Sequence, residues 1–272
     1  MNASSKLTPE ALIARYFPAA QAAGTVSTVQ GLSGGSIRIA CGDRIYAARR
    51  SLPQAPPGVS LARQYRALKQ RLPGTGPTPR LLAGGWLVTD WLHGRPCAEA
   101  VNINDLAALL RHLHAQRRFG WRISLPSLLT FYWQAAAPER RSRFWLSMLK
   151  RLHQQGEPAA LKLAPLHMDV HGDNLIQTPD GLRLIDWEYA GDGDIALELA
   201  ATGMGEALTQ AYAERTRYSA AALARQVRRW QPWVQALMAS WYEWRWQQTR
   251  QRQFIQLADD AWRRLRFMEY ER

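Results

Sequence analysis

Near residue 90 the hydrophobic period of the chain changes, and this restricts the fold more than any other feature. Before that point, short apolar runs are separated by glycine pairs. Ile37, Ile39 and Ile45 flank Gly42-Asp43, and Arg80–Ala83 and Trp86–Thr89 flank Gly84-Gly85. Such runs read as strand, turn, strand. One helix is predicted at the start, with Thr8 as cap and Pro9 in its first turn, ending before Pro18. A second is predicted at about Leu61 to Leu72, capped by Ser60. After residue 90, Leu106, Leu109, Leu110 and Leu113 fall at helical spacing, and Leu128–Gln134 and Arg143–His153 continue the pattern. A β-like interruption is predicted over 163–186, and from Glu206 onward the chain reads as helix. The expectation is an α+β fold of two lobes: a small N-terminal antiparallel-sheet lobe over 1–92 and a larger, mainly helical C-terminal lobe over 93–272. The hinge falls at about residues 89–94.

Composition narrows the function classes. The 272 residues hold only two cysteines, Cys41 and Cys97, too few for a disulfide framework or a cysteine-built zinc cluster, which suits a reducing cytoplasm. No run of 18 apolar residues occurs, and the first 18 residues lack a signal-peptide pattern, so neither a membrane span nor secretion is expected. The net charge is +13, from 35 basic and 22 acidic residues. The arginines are dispersed and no nucleic-acid motif accompanies them, so nucleic acid is not an expected partner.

The segment that carries chemistry is Leu166-His167-Met168-Asp169-Val170-His171-Gly172-Asp173-Asn174, followed by Leu184-Ile185-Asp186-Trp187-Glu188. Phosphoryl transfer needs one carboxylate to orient the attacking hydroxyl. It also needs an amide oxygen and a second carboxylate to hold a hard cation against the phosphates. His-x-Asp-x4-Asn, then a strand-embedded Ile-Asp-Trp-Glu, preceded by a glycine-rich turn (Gly31–Ser36) and a strand-ending Arg49, is the order of parts in kinases.

On these motifs the chain resembles the aminoglycoside phosphotransferase and choline kinase superfamily of small-molecule kinases, over nearly its whole length. The resemblance implies the protein-kinase-like fold, ATP and Mg²⁺. It makes Asp169 the catalytic aspartate and Asn174 and Asp186 the Mg²⁺ ligands. Arg49 becomes the phosphate-contacting base of the third strand, and Gly34, Gly35 and Ser36 backbone neighbours of the triphosphate. Asp90, Trp91 and Leu92 become the hinge facing the adenine. His171-Gly172-Asp173 spells the superfamily's usual His-Gly-Asp, but the position where its Asn should fall is Thr178, whereas Asp169 has Asn174 five residues on. Asp169 is therefore the choice, with Met168 in place of the usual glycine. The helix position that normally carries a Glu partner for the strand base matches Gln64, and whether Gln64 pairs with Arg49 in its place is left open by the sequence.

The resemblance also implies an acceptor that is a small-molecule primary alcohol carrying a cation, which aromatic faces and acids would meet. Trp187, Glu188, Asp192, Trp241 and Glu243 are the candidates. Residues 206–272 hold 12 Arg against 7 acids, a balance that disfavours a polycationic antibiotic. Choline, another amino alcohol or an aminoglycoside-type acceptor remains open, as does a catalytically silent binding protein on the same fold. The protein is expected to act as a cytoplasmic monomer.

Overall fold

The computed structural model describes residues 6–22, 26–29, 36–51, 54–70, 74–98 and 100–270. Gly34, Gly35 and most of the glycine-rich turn lie outside the described residues.

The N-terminal part begins with helix α1 (Pro9–Tyr16). The Thr8 hydroxyl accepts from the Ala11 N–H at 3.2 Å, as the capping pattern requires. A short second helix, α2 (Pro18–Ala22), follows directly; the expected stop at Pro18 is a break between two helices, because proline fits the first turn of a new one. Five antiparallel strands then form one sheet in the order β1-β2-β3-β5-β4. They are β1 (Val26–Val29), β2 (Ser36–Cys41), β3 (Arg44–Arg50), β4 (Pro79–Ala83) and β5 (Trp86–Asp90). The β2–β3 turn places Gly42 at φ 59°, a conformation glycine adopts without penalty. Ile37 and Ile39 alternate inward from β2 and pack with Ala48, Val88, Trp86 and the α1 residues Leu12 and Ile13.

Between β3 and β4 lies α3 (Leu61–Lys69), shorter than expected by one turn. Its N-terminus is closed by the Ser60 hydroxyl, which accepts from Arg63 N–H at 3.2 Å. Ala67 and Leu68 of α3, with Leu87 of β5, join the larger core below rather than the small one above. This helix and strand couple the sheet to the rest of the molecule.

The remainder is mainly helical: α4 (Ile103–His114), α5 (Leu125–Ala135), α6 (Arg143–Gln155), α7 (Ile195–Ala201), α8 (Gly205–Ala213), α9 (Ala220–Thr249) and α10 (Arg252–Tyr270). The leucines of α4 named above are all buried. The predicted β-like interruption contains β7 (Leu163–Leu166), β8 (Leu175–Thr178) and β9 (Gly181–Leu184). Two further strands went unpredicted, β6 (Arg95–Pro96), which pairs with β8, and β10 (Gly191–Asp194), which pairs with β7. These short antiparallel pairs hold the polar loops that follow β7 and β9. The β6 segment passes so close to Gly172 that a Cβ there would lie 2.6 Å from the Cys97 carbonyl oxygen. The result is the expected two-lobe, kinase-like α+β architecture.

Candidate active site

Asp169 lies in the loop between β7 and the helical turn Gly172–Asn174. Asn174 turns its amide toward it. Its Nδ2 donates to the Asp169 carboxylate at 2.8 Å and to the Asp169 carbonyl at 3.0 Å. His171 lies 3.6 Å from the other carboxylate oxygen, and its interaction with the Asp169 carboxylate raises the imidazole pKa. Asp173, the acid of the second His-x-Asp triplet, points outward with 66% of its side chain exposed.

The loop is held from beneath. Met168 adopts φ 68°, a left-handed conformation uncommon for a side chain of this size. The buried Glu198 carboxylate on α7 accepts the N–H groups of both His167 and Met168 at 2.7 Å. Its other oxygen meets His114 Nε2 at 2.7 Å, and His114 Nδ1 meets the Tyr212 hydroxyl at 2.8 Å. Burial opposes the charge on Glu198, yet the His114 hydrogen bond keeps its carboxyl below the usual range. His167 is fully buried. Its Nε2 donates to the Ile185 carbonyl at 2.8 Å and its Nδ1 accepts from the Asp169 N–H at 3.3 Å, which defines a neutral tautomer. Burial pushes its pKa down, in agreement.

The Ile185 N–H donates to the Asn174 carbonyl at 2.9 Å, so the Asp186 segment runs beside Asn174. Asp186 is itself left-handed, at φ 63°, and opens the helical turn Trp187–Tyr189. Arg49 reaches down from β3 to both acids of this turn, bonding Asp186 and donating to Glu188 at 2.8 Å. Burial and the neighbouring Asp186 raise the Glu188 carboxyl pKa to about 7, against the pull of Arg49. Gln64 of α3 is buried against the same turn. Its amide oxygen faces the N–H groups of Trp187 and Glu188, at 3.2 and 3.3 Å, so it fixes the backbone of the turn that carries Arg49's partners.

At the hinge, the Asp90 carboxylate takes two hydrogen bonds from Arg80, at 2.6 and 2.5 Å. The N–H groups of Asp90 and Trp91 are committed to the carbonyls of Thr78 and Ile45, both at 2.9 Å. Ser36 begins β2, opposite Arg49 in register.

Of the residues expected to face the acceptor, three have structural partners instead. Trp187 is 1% exposed, and its indole donates to the Leu184 carbonyl at 2.9 Å. The buried Asp192 accepts the N–H groups of Phe119 and Gly120, each at 2.8 Å. Glu243 is buried in a two-bond pair with Arg140 and also accepts from the Trp262 indole. Glu188 remains beside Asp186, and Trp241 donates to the Tyr189 hydroxyl at 2.9 Å. Tyr189 was not singled out from the sequence, although it stands one residue beyond Glu188.

Among the described residues, no three His, Cys, Asp or Glu side chains close on a point as a metal site. The donor set that Asn174 and Asp186 offer is oxygen only, which fits a hard cation that keeps water and phosphate in its shell rather than zinc.

A kinase-like fold with these two polar loops defines a phosphotransferase, and the chain belongs to the phosphotransferase enzyme family, whose model matches residues 42–268. It is 51% identical over 271 residues to a thiamine kinase of Salmonella typhimurium, covering 97% of this chain and 98% of that protein. Among solved structures it is similar to a choline/ethanolamine kinase family protein from Mesorhizobium loti, with a TM-score of 0.73, 18% identity and coverage of 95% and 92% of the two chains. An amicoumacin kinase, solved in complex with AMP-PNP, Ca²⁺ and Ami, matches with a TM-score of 0.66 and 12% identity, over 95% and 96% of the chains. No helix among the described residues is long and apolar enough to cross a membrane.

Proposed function

We propose that the chain is an ATP-dependent kinase that phosphorylates the hydroxyethyl group of thiamine, producing thiamine monophosphate and ADP. The observation that carries the acceptor is the 51% identity, end to end, with a thiamine kinase. The grouping of Asp169, Asn174, Asp186 and Arg49 supports the chemistry.

In this reading Asp169 receives the hydrogen bond of the thiamine hydroxyl and accepts its proton as the oxygen joins the γ-phosphorus and the bond to the β-phosphate oxygen breaks. Asn174 turns its amide nitrogen toward Asp169, which orients the carboxylate and leaves its carbonyl oxygen for the cation. Asn174 and Asp186 would hold Mg²⁺, which neutralises charge on the phosphates when bound. Arg49 exchanges part of its pairing with Asp186 and Glu188 for phosphate oxygens, which a guanidinium grips bidentately. Ser36, with Gly34 and Gly35, approaches the triphosphate by its backbone, and the Asp90–Leu92 segment borders the adenine. In this reading the lobes divide at residue 92 and the nucleotide lies between them. The enzyme acts as a monomer in the cytoplasm, and the nucleotide accounts for part of the basic surface.

ADP release from Mg-ATP, compared for thiamine, choline, an aminoglycoside and no acceptor, tests this reading. Release that depends on thiamine supports it. Release only with choline or the aminoglycoside would keep the chemistry and replace the acceptor, and nucleotide binding without turnover would leave a silent binding protein.

A further inference from the structure

A cavity of about 180 Å³ opens beside Met168. Its walls come from Trp121, Ile123, Leu128, Met168, Tyr189 and Leu237, and its rim carries the Ser124 and Ser127 hydroxyls. No residue of β2–β5 or of Asp90–Leu92 lines it, so it is separate from the place proposed for the nucleotide. Sites for whole drug-sized molecules run to roughly 300–1,000 Å³, so this cavity takes one ring of a larger ligand.

The walls are preformed. Trp121 is fixed by its indole hydrogen bond to the Ala190 carbonyl at 2.8 Å, by Phe119 stacked at 5.2 Å and by the Arg66 guanidinium 5.0 Å from its ring. Arg63 donates to the Gly58 carbonyl at 3.2 Å and so holds the loop that closes one edge. The charged residues at the cavity are Arg63 and Arg122, and no carboxylate lines it. A cationic ring is disfavoured there. An uncharged flat ring with hydrogen-bonding nitrogens fits, with the two serine hydroxyls, 2.9 Å apart, to meet them.

We propose that this slot is the subsite for the neutral aminopyrimidine ring of the acceptor, and that Met168 forms the wall between it and Asp169. The inference rests on the thiamine reading above. It divides the acceptor by charge. The aminopyrimidine enters the slot, and the thiazolium lies on the Asp169–Glu188 side of Met168, where the acids are. It also gives Met168 a function. Its left-handed backbone would suit glycine, and such conformations persist where the side chain is needed. A flexible thioether is well suited to close against an aromatic ring.

The test uses Ser127→Trp, which fills the slot from an exposed rim position, and Met168→Gly, which removes the wall while relaxing the backbone. Thiamine-dependent turnover of the unmodified enzyme, measured first, tests the acceptor reading by itself. The slot predicts that Ser127→Trp raises the KM for thiamine by about tenfold or more and Met168→Gly by several-fold, with the KM for ATP and the thermal midpoint little changed. 4-Amino-5-hydroxymethyl-2-methylpyrimidine should compete with thiamine in the unmodified enzyme and lose this effect in Ser127→Trp. A thiamine KM within about twofold of the unmodified value in both variants, or a change confined to the KM for ATP, overturns the assignment while leaving the kinase reading intact.

Discussion

The Glu198 carboxylate accepts the Met168 N–H at 2.7 Å, from a helix that begins some 30 residues later in the chain. The same oxygen takes the His167 N–H and the other is bound by His114. One buried acid thus satisfies two backbone donors and fixes the loop that presents Asp169. Removing one member of a buried pair leaves the others unsatisfied and costs about 3–5 kcal/mol. Glu198→Ala should lose stability on that scale in urea unfolding. Glu198→Gln, which keeps an acceptor oxygen, should lose less stability but still lower kcat more than it raises either KM.

His167 makes stability depend on pH. Burial lowers its pKa in the folded state, so below the unfolded value, about 6.5, the unfolded chain binds the proton more readily. Its contribution is complete above that pH and is lost as pH falls. Urea midpoints should therefore decline from pH 7 to pH 5, and His167→Gln should flatten the decline. An unchanged slope in that variant would assign the dependence to other groups.

The two motifs and their spacing were legible because each is local. His167 to Asn174 form one loop, and Ile185 to Glu188 leave one strand. The hairpin at Gly42-Asp43 and the leucine period of α4 are equally local. Gly191–Asp194 gave no strand signal, since glycines and acids show no apolar alternation, although all four residues are buried in β10. Pairings across the fold were out of reach. Nothing near Gln64 shows that it serves the Trp187–Glu188 backbone, and nothing near Asp192 shows that it holds Phe119 and Gly120. In the turn Trp187–Tyr189, sequence could not tell which aromatic faces the core. Trp187 does, and Tyr189 carries the contact with Trp241.

Glu243 illustrates the same point in a testable way. Buried against Arg140 and Trp262, it joins α9, α10 and the turn at Pro138–Arg140. Glu243→Gln should lower the thermal midpoint by several degrees, at about 2–4 °C per kcal/mol for a chain of this size. The KM for thiamine should stay within about twofold. A large rise in that KM with an unchanged midpoint would return Glu243 to the acceptor site.

Arg49 uses separate nitrogens for Asp186 and Glu188, a fork that lysine cannot reproduce. Arg49→Lys should keep the fold and raise the KM for ATP several-fold, with a smaller effect on thiamine. Steady-state kinetics with each substrate varied in turn provides the check.

The central claim is that Asp169 directs phosphoryl transfer to the thiamine hydroxyl. The most direct measurement is chromatographic detection of thiamine monophosphate formed from thiamine and Mg-ATP by the unmodified enzyme and by Asp169→Asn, with nucleotide binding titrated alongside. The account predicts product from the first, and a loss on the order of 10²–10⁴-fold in the second at nearly unchanged ATP affinity. Product formation at full rate by Asp169→Asn, or none from the unmodified enzyme, would contradict it.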